Sequence, residues 1–294
     1  MANSVSNAYI STFEANVRFL AQQKGSKLRQ FCQFRGEQSK NHNWDRVGKL
    51  NATTKVGRAV ASPVNDTPYS RRTDSQITKH AGDLVEPEDI VQMLSDPASN
   101  TSTAIAYAMG RAMDVMIIAA ATSSTATLDG TGAPVVFNNG LTPAGTQLVG
   151  DGTAAITLDL IAQVTQLFML NDIEPDVPKV AVVGPVQVRQ MIEMEKATST
   201  FYVNAKALAE TGMVRNWMGY TWLFSNLLTA PVVGSLDCLF FSEMALGLHV
   251  TKDIWAQVAQ DPSRSFAWQV YSAYTGGAAR VEDEHLVAGR FLNS

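Results

Sequence analysis

Charge is scarce in this chain. Only 17% of its 294 residues are Asp, Glu, Lys or Arg, against roughly 25% in ordinary soluble domains. Much of the polar surface must therefore come from Ser, Thr, Asn and Gln, which suits a protein that spends its life packed against copies of itself. Cysteine is nearly absent. Cys32 and Cys238 form no C-x-x-C pair and lie in different segments, which argues against a disulfide framework and for a reducing compartment. The most apolar run, Val115 to Ala121, falls far short of the ~20 residues of a membrane span. Met1-Ala-Asn-Ser-Val lacks a basic start followed by an apolar stretch, so a signal peptide is not expected. The reading is a soluble protein made in the cytosol, with no membrane partner.

Catalytic and metal motifs are missing as well. His42, His80, His249 and His285 are scattered, without H-E-x-x-H or a His/Cys cluster, and read as surface or packing residues. No G-x-S-x-G elbow and no G-x-x-x-x-G-K-[ST] loop occurs, which leaves a Ser hydrolase of that type and a P-loop unsupported. Asp129-Gly-Thr-Gly132 sits in a run of turn residues, and Glu282-Asp-Glu284 reads as a solvated acidic turn rather than a cation site. Asn51, Asn65 and Asn100 open glycosylation-type triplets, which mean little without secretion. The expectation is no catalytic, cofactor-binding or metal residue, no cofactor, and no enzyme.

What is present is an asymmetry. Residues 1–85 carry a net charge of +7 and residues 86–294 a net of −11, within the overall −4. A basic front end can grip nucleic acid or lie across an acidic neighbour. Its positive charges are dispersed, with only Arg71 and Arg72 adjacent, and this favours the protein neighbour. Contacts between subunits, Arg71 and Arg72 included, are expected to hold this segment.

Order along the chain is uneven. Tyr9, Phe13, Val17 and Leu20 mark one face of a helix. Residues 36–84 hold little that could form a core and cannot order themselves against conformational entropy. They read as disordered, or as an extended hairpin lying on something else. Asp96-Pro97 is a capped start for a long helix reaching about Ala121, with Ile105, Met109, Ala112 and Met116 on its apolar face. Its length would be about 35–40 Å. Residues 122–155 read as loops with a short strand at Pro134 to Phe137. Residues 156–253 read as a compact α/β unit. Its parts are a helix opening at Thr157, a buried strand Lys179 to Val183, and a helix from Pro185 to about Glu195. A helix at Val203 to Glu210 follows, then strands near Gly219 to Phe224, Cys238 to Phe241 and Leu246 to Val250. Beyond it, Ile254 to Gln260 alternates, and Phe266, Trp268, Val270 and Tyr274 continue on a longer strand. Gly276-Gly277 is expected to interrupt that strand, and Leu286 to Leu292 to form the last one.

The order of these parts resembles the major capsid proteins of tailed bacteriophages, of the Hong Kong ninety-seven-type α+β fold. Three stretches carry the likeness: Val180-Ala-Val-Val-Gly-Pro-Val-Gln187, the passage Met213 to Ser225 with its Gly219-Tyr220 pair, and Tyr274 to Arg280 followed by Val287-Ala-Gly289. The resemblance implies an N-terminal arm at 1–40 and an extended β-hairpin loop at 41–85. It implies a peripheral domain at 86–155 with a spine helix at 96–121, an axial domain at 156–253, and return strands of the peripheral domain at 254–294. It implies a shell subunit forming hexamers and pentamers around phage double-stranded DNA, which it meets non-specifically. A portal and a decoration or cement protein would be further partners, and assembly would take place in the host cytoplasm. The chain opens almost directly on the arm, which implies a separate scaffolding protein or a trimmed chain, and Met1 argues against trimming. Lys49, Lys55 and Lys79 lie in the loop, and none matches the lysine that cross-links some relatives. Two other readings stay open here: an encapsulin-like nanocompartment shell, and a cytosolic α/β enzyme with a docking segment in front.

Overall fold

A computed structural model describes residues 22–86, 97–127, 133–137, 147–193 and 215–294, and the side chains of 97–100 are not described. In chain order a 3-10 turn at Arg29–Phe31 precedes β1 (Gln33–Arg35), β2 (Asn43–Val47), β3 (Tyr69–Thr73) and β4 (Ile77–Val85). Helix α1 (Pro97–Thr122) follows, then β5 (Ala126–Thr127), β6 (Leu148–Val149), α2 (Leu158–Leu170), β7 (Lys179–Val183) and α3 (Pro185–Glu193). The remainder is β8 (Asn216–Trp217), β9 (Tyr220–Phe224), β10 (Ser235–Ser242), β11 (Leu246–Asp261), β12 (Ala267–Arg280) and β13 (Leu286–Leu292). The class is α+β. The helices expected at 9–20 and 203–210, the Asp96 cap and the Asp129–Gly132 turn lie outside the described residues.

Two compact units divide the chain. One comprises Met1–Ser26, Thr78–Ala112 and Asp253–Tyr274; the other comprises Lys27–Ile77, Met113–Lys252 and Thr275–Ser294. Helix α1 and strands β11 and β12 each contribute residues to both.

The second unit holds a six-stranded sheet in the order β6-β13-β10-β7-β9-β8. Strand β10 is buried at every position, so both its faces are covered, which is why Cys238, Leu239, Phe240 and Phe241 form a continuous apolar run rather than alternating. Helix α2 begins where the Thr157 side chain accepts a hydrogen bond from the Leu160 N–H, an N-cap readable from Thr157-Leu-Asp-Leu. It buries Ile161, Val164 and Phe168. Phe168 meets the ring of Tyr220 on β9, and Thr165 Oγ1 lies 3.1 Å from the Tyr220 hydroxyl. The two cysteines are buried and unbonded, and burial pushes both thiols up to about 12.

In α1 the buried stripe runs through Ile105, Met109, Met113, Ile117 and Ala121. Ala112 and Met116, expected on that face, are only partly buried. A strict spacing of four outruns the 3.6-residue turn, so the stripe winds slowly around the helix. Thr101–Thr122 is long and apolar enough to cross a membrane by length and composition, and half of that stretch is buried inside the protein, as in the core helix of a globular subunit. Its one internal acid is used. The Asp114 carboxylate accepts the backbone N–H groups of Lys27 and Leu28 at 2.9 and 3.2 Å and so anchors the start of the 3-10 turn.

Three local expectations need correction. The pieces Leu246–Val250 and Ile254–Gln260 are one continuous strand, β11, and Gly276-Gly277 does not interrupt β12. A Cβ at Gly276 would stand 2.7 Å from the His249 carbonyl oxygen, and one at Gly277 would stand 2.8 Å from that of Ser75. These glycines admit a close backbone rather than break a strand. At 134–137 the structure has only an isolated bridge, Thr125 to Val135.

Candidate functional site

The residues that distinguish this molecule gather at the root of the hairpin formed by β2 and β3, within the second unit. The strands pair antiparallel, with Trp44 opposite Arg72, Asp45 opposite Arg71, and Val47 opposite Tyr69. Side chains alternate between faces along a strand, and directly opposed residues share a face. Trp44, Arg46 and Arg72 therefore point one way, and Asp45 and Arg71 the other. The adjacent arginines 71 and 72 are thus separated by the pleat.

On the outer face the Arg71 Nε lies 2.5 Å from Asp45 Oδ1, both side chains well exposed. The inner face is different. Trp44 is buried against Ala279 and Val281, and its ring fills the space a side chain would occupy at position 247. A Cβ there would stand 2.5 Å from the indole. Gly247 of β11 is a socket for Trp44.

Beside it stands the acidic turn 282–284. Arg46 Nη2 donates to Glu282 at 2.7 Å and to Glu284 at 3.1 Å. Arg72, its side chain 6% exposed, reaches Asp283 Oδ2 at 2.5 Å. Arg280, wholly buried, takes Asp283 Oδ1 and also donates to the carbonyls of Ala121, Ser123 and Val135. Gln147 donates to the Asp283 carbonyl at 2.6 Å. Burial works against the charge of Arg46, and the hydrogen bond to Glu282 and the surrounding carboxylates outweigh it, holding the guanidinium above its ordinary value. The expected solvated turn is instead an ion cluster that ties the hairpin root to β12, β13 and the end of α1. Apart from Arg280 and Asp283, three residues apart, its partners are more than a hundred residues apart in sequence, so no local pattern shows those. The hairpin arginines were expected to meet a neighbouring subunit, and the structure pairs both within the chain. Long bidentate or multiply bonded arginines suit such a cluster because the guanidinium has five fixed donors.

Beyond the root the hairpin changes character. Gly48 N–H donates to the Pro68 carbonyl at 2.7 Å and closes the neck. Between them the chain forms no strand, and its side chains are exposed, Val56 at 83% and Val64 at 97%. Lys49 contacts Asp172, both near 80% exposed; Lys55 and Lys79 are exposed, and neither has a carboxylate partner among the described ion pairs.

The other candidates separate. His80 rests near Tyr271 at 5.9 Å between ring centroids. His285 Nδ1 meets Ser242 Oγ at 2.7 Å, while His42 and His249 stack loosely at 5.3 Å. Among the described residues no group of three or more His, Cys, Asp or Glu is placed to hold a metal. The hairpin-root arrangement binds strands to one another.

The family described as phage capsid protein matches residues 5–293. No curated protein matches the chain by sequence. Among solved structures the chain is similar to the capsid of cyanophage P-SCSP1u, with TM-score 0.75 and 14% identity over 100% of this chain and 96% of that one. It is similar to a chain of Mycobacterium phage Che8, with TM-score 0.72 and 14% identity over 97% of each. It is also similar to the capsid of a native GTA particle, with TM-score 0.73 and 14% identity over 99% of each. Identities this low show the fold, which is the Hong Kong ninety-seven-type capsid fold. With the family matched over nearly the whole length and the fold shared end to end, the chain belongs to the phage capsid protein family and is a structural protein of the phage shell.

Proposed function

We propose that this chain is the major subunit of an icosahedral phage head, assembling as hexamers and pentamers around double-stranded DNA. The observation that carries the reading is the hairpin at 43–73. Its root is fixed by Trp44, Arg46 and Arg72, while its far part presents Val56 and Val64 to solvent. A rigidly based, apolar-tipped projection is built to be covered by something else. The domain plan proposed is an arm at 1–40, the extended loop at 41–85, a peripheral domain at 86–155 with its spine helix at 96–121, an axial domain at 156–253, and return strands at 254–294. A separate scaffolding protein, a portal and a decoration or cement protein are the proposed partners, with assembly in the host cytoplasm and no membrane step. The proposed subunit is not an enzyme and needs no cofactor. The comparisons do not favour the encapsulin-like compartment or the cytosolic enzyme.

The test is electron microscopy of the purified protein, alone and with a candidate scaffold. Closed shells of uniform size support the reading; a monomer that stays dispersed under all conditions overturns it. Binding to duplex DNA is then measured against salt. Each neutralised phosphate adds about −0.9 to the slope of log affinity against log salt. The expected slope is shallow and without sequence preference. A steep slope with sub-micromolar affinity would assign the chain to organising DNA instead.

A further inference from the structure

The end of helix α2 is a surface that the single chain leaves largely bare. Met169 and Leu170 close the helix and are 51% and 66% exposed. Asp172, Glu174 and Asp176 follow, all exposed, and the stretch 169–176 holds no Lys or Arg. The C-terminus of a helix carries partial negative charge, which a cation in the last turn offsets. The last turn of α2 has no basic residue. Carboxylates, helix dipole and uncovered apolar side chains therefore coincide at one end of α2. Such a surface complements a partner that is basic and apolar at once.

The hairpin beyond its neck has that character. Between Gly48 and Pro68 stand Lys49, Lys55 and Arg58 against one acid, Asp66. Leu50 and Val60 are exposed there along with Val56 and Val64. Positive φ at Gly57 and Ala59, 112° and 57°, reverses the chain, so Arg58 stands at the apex between Val56 and Val60. The neck already shows the pairing chemistry: Lys49 Nζ lies 2.5 Å from Asp172 Oδ2 of the same chain. That contact uses one acid and leaves Met169, Leu170, Glu174 and Asp176 exposed, and it leaves Lys55 and Arg58 exposed as well. Two complementary surfaces, both bare on one molecule, are matched by a second copy.

We propose that the hairpin tip of one subunit, led by Lys55 and Arg58, docks on the end of α2 of the next subunit, against Met169, Leu170, Glu174 and Asp176. The contact is head-to-tail, because each subunit gives a hairpin and receives one. A heterologous contact closes into a ring when its rotation allows, as hexamers and pentamers require. The ten residues from Gly48 to Arg58 span at most about 33–36 Å, the width of a small domain. Docking of this kind rests on the shell reading and names the surface that receives the hairpin.

The experiment begins with particles assembled from an equal mixture of unlabelled and nitrogen-15-labelled subunits. A carbodiimide then joins touching amines and carboxylates without a spacer, and peptides are read by mass spectrometry. Lys55 is expected to be joined to Glu174 or Asp176, with both isotopes present in one joined pair. Lys49 joined to Asp172 should carry a single isotope and serves as the internal control. Charge reversal completes the test. Lys55→Glu with Arg58→Glu, and separately Glu174→Lys with Asp176→Lys, should each lower the yield of closed particles about tenfold through like-charge juxtaposition. The thermal midpoint of the unassembled chain should not move, since all four side chains are exposed. All four substitutions in one chain should restore most of the yield. Closed shells in which Lys55 is joined elsewhere, or only to its own chain, overturn the docking and leave the shell reading standing. Normal assembly of either double variant does the same, as does a fourfold variant no better than the doubles. A wild-type chain that forms no particles under any condition removes the shell reading and the docking with it.

Discussion

Strand β10 and the hairpin β2–β3 contrast two ways of ordering a polar chain. Every residue of β10 is buried, and its polar members are paired within reach: Asp237 takes two hydrogen bonds from Arg290, and Ser242 meets His285. The hairpin has almost no core. It is held at one end by one indole, two arginines and a short pairing of β3 with β5, and beyond Gly48 and Pro68 it forms no strand. The body is stabilised by area removed from water; the hairpin root is stabilised by a few specific contacts and therefore fails one contact at a time. A segment expected to be either disordered or an extended hairpin lying on something else pairs as strands at 43–47, 69–73 and 77–85.

The sharpest way to break this contrast is to remove the contact that serves both regions. Arg280 is buried and satisfies Asp283 together with the carbonyls of Ala121, Ser123 and Val135. Arg280→Met removes the buried guanidinium and takes one donor from Asp283 and from each of these carbonyls, at a cost of about 3–5 kcal/mol. Soluble yield and thermal midpoint should both collapse, and the six-stranded sheet should suffer as much as the hairpin. Loss confined to the hairpin would show that the cluster does not serve the body.

A smaller effect separates the two regions. Gly247→Ala puts a methyl 2.5 Å from the Trp44 ring, overpacking worth about 1–3 kcal/mol. Hydrogen exchange should quicken in β2 and β3 while β7 and β10 stay protected. Combining it with Trp44→Leu should cost less than the sum of the two, because the residues share one space.

These residues also mark what was legible in advance. The Thr157 cap, the strand Lys179–Val183 closed by Gly184-Pro185, and the last strand Leu286–Leu292 are local signals, and each appears where expected. The hairpin was legible as one of two possibilities. Its root was not, because Trp44 needs a glycine two hundred residues away and Arg72 needs Asp283. Glu282-Asp-Glu284 looks like any solvated turn until Arg46 and Arg72 reach it from distant strands. Gly276-Gly277 has the composition of a break and the function of a close approach. Local pattern reports the period of a strand; it cannot report which other strand comes to lie on it.

The third effect is smaller and depends on pH. Burial lowers the proton affinity of His285, despite Glu282 and Glu284 nearby. The unfolded chain takes that proton at the ordinary value of about 6.5, the folded chain only at lower pH. The contribution of His285 to stability is therefore complete above that value. It is lost as pH falls through the window between it and the folded value, and is constant below. His285→Asn keeps an acceptor for Ser242 and removes the titration. The difference in thermal midpoint between wild type and variant should shift against the wild type as pH falls through this window. A difference independent of pH would mean that the ring is not desolvated.

The last effect should be absent from the subunit altogether. Val56 and Val64 are 83% and 97% exposed, and replacing exposed residues away from any special contact changes stability by no more than about 0.5 kcal/mol. Val56→Ser with Val64→Ser should leave the thermal midpoint and the exchange pattern of the unassembled chain unchanged. Proline-like strain is not introduced, no hydrogen bond is removed, and serine suits a loop. If these valines are covered by another subunit in the shell, the same variant should lower the yield of closed particles, because each apolar contact is repeated at every subunit. Microscopy and sedimentation of wild type and variant, at matched concentration, read this directly. Unchanged folding with impaired closure would assign the far half of the hairpin to assembly. Unchanged folding with unchanged closure would mean that the projection is solvent-exposed in the shell as well. The partner-covered half of the comparison would then have to be sought elsewhere on the chain.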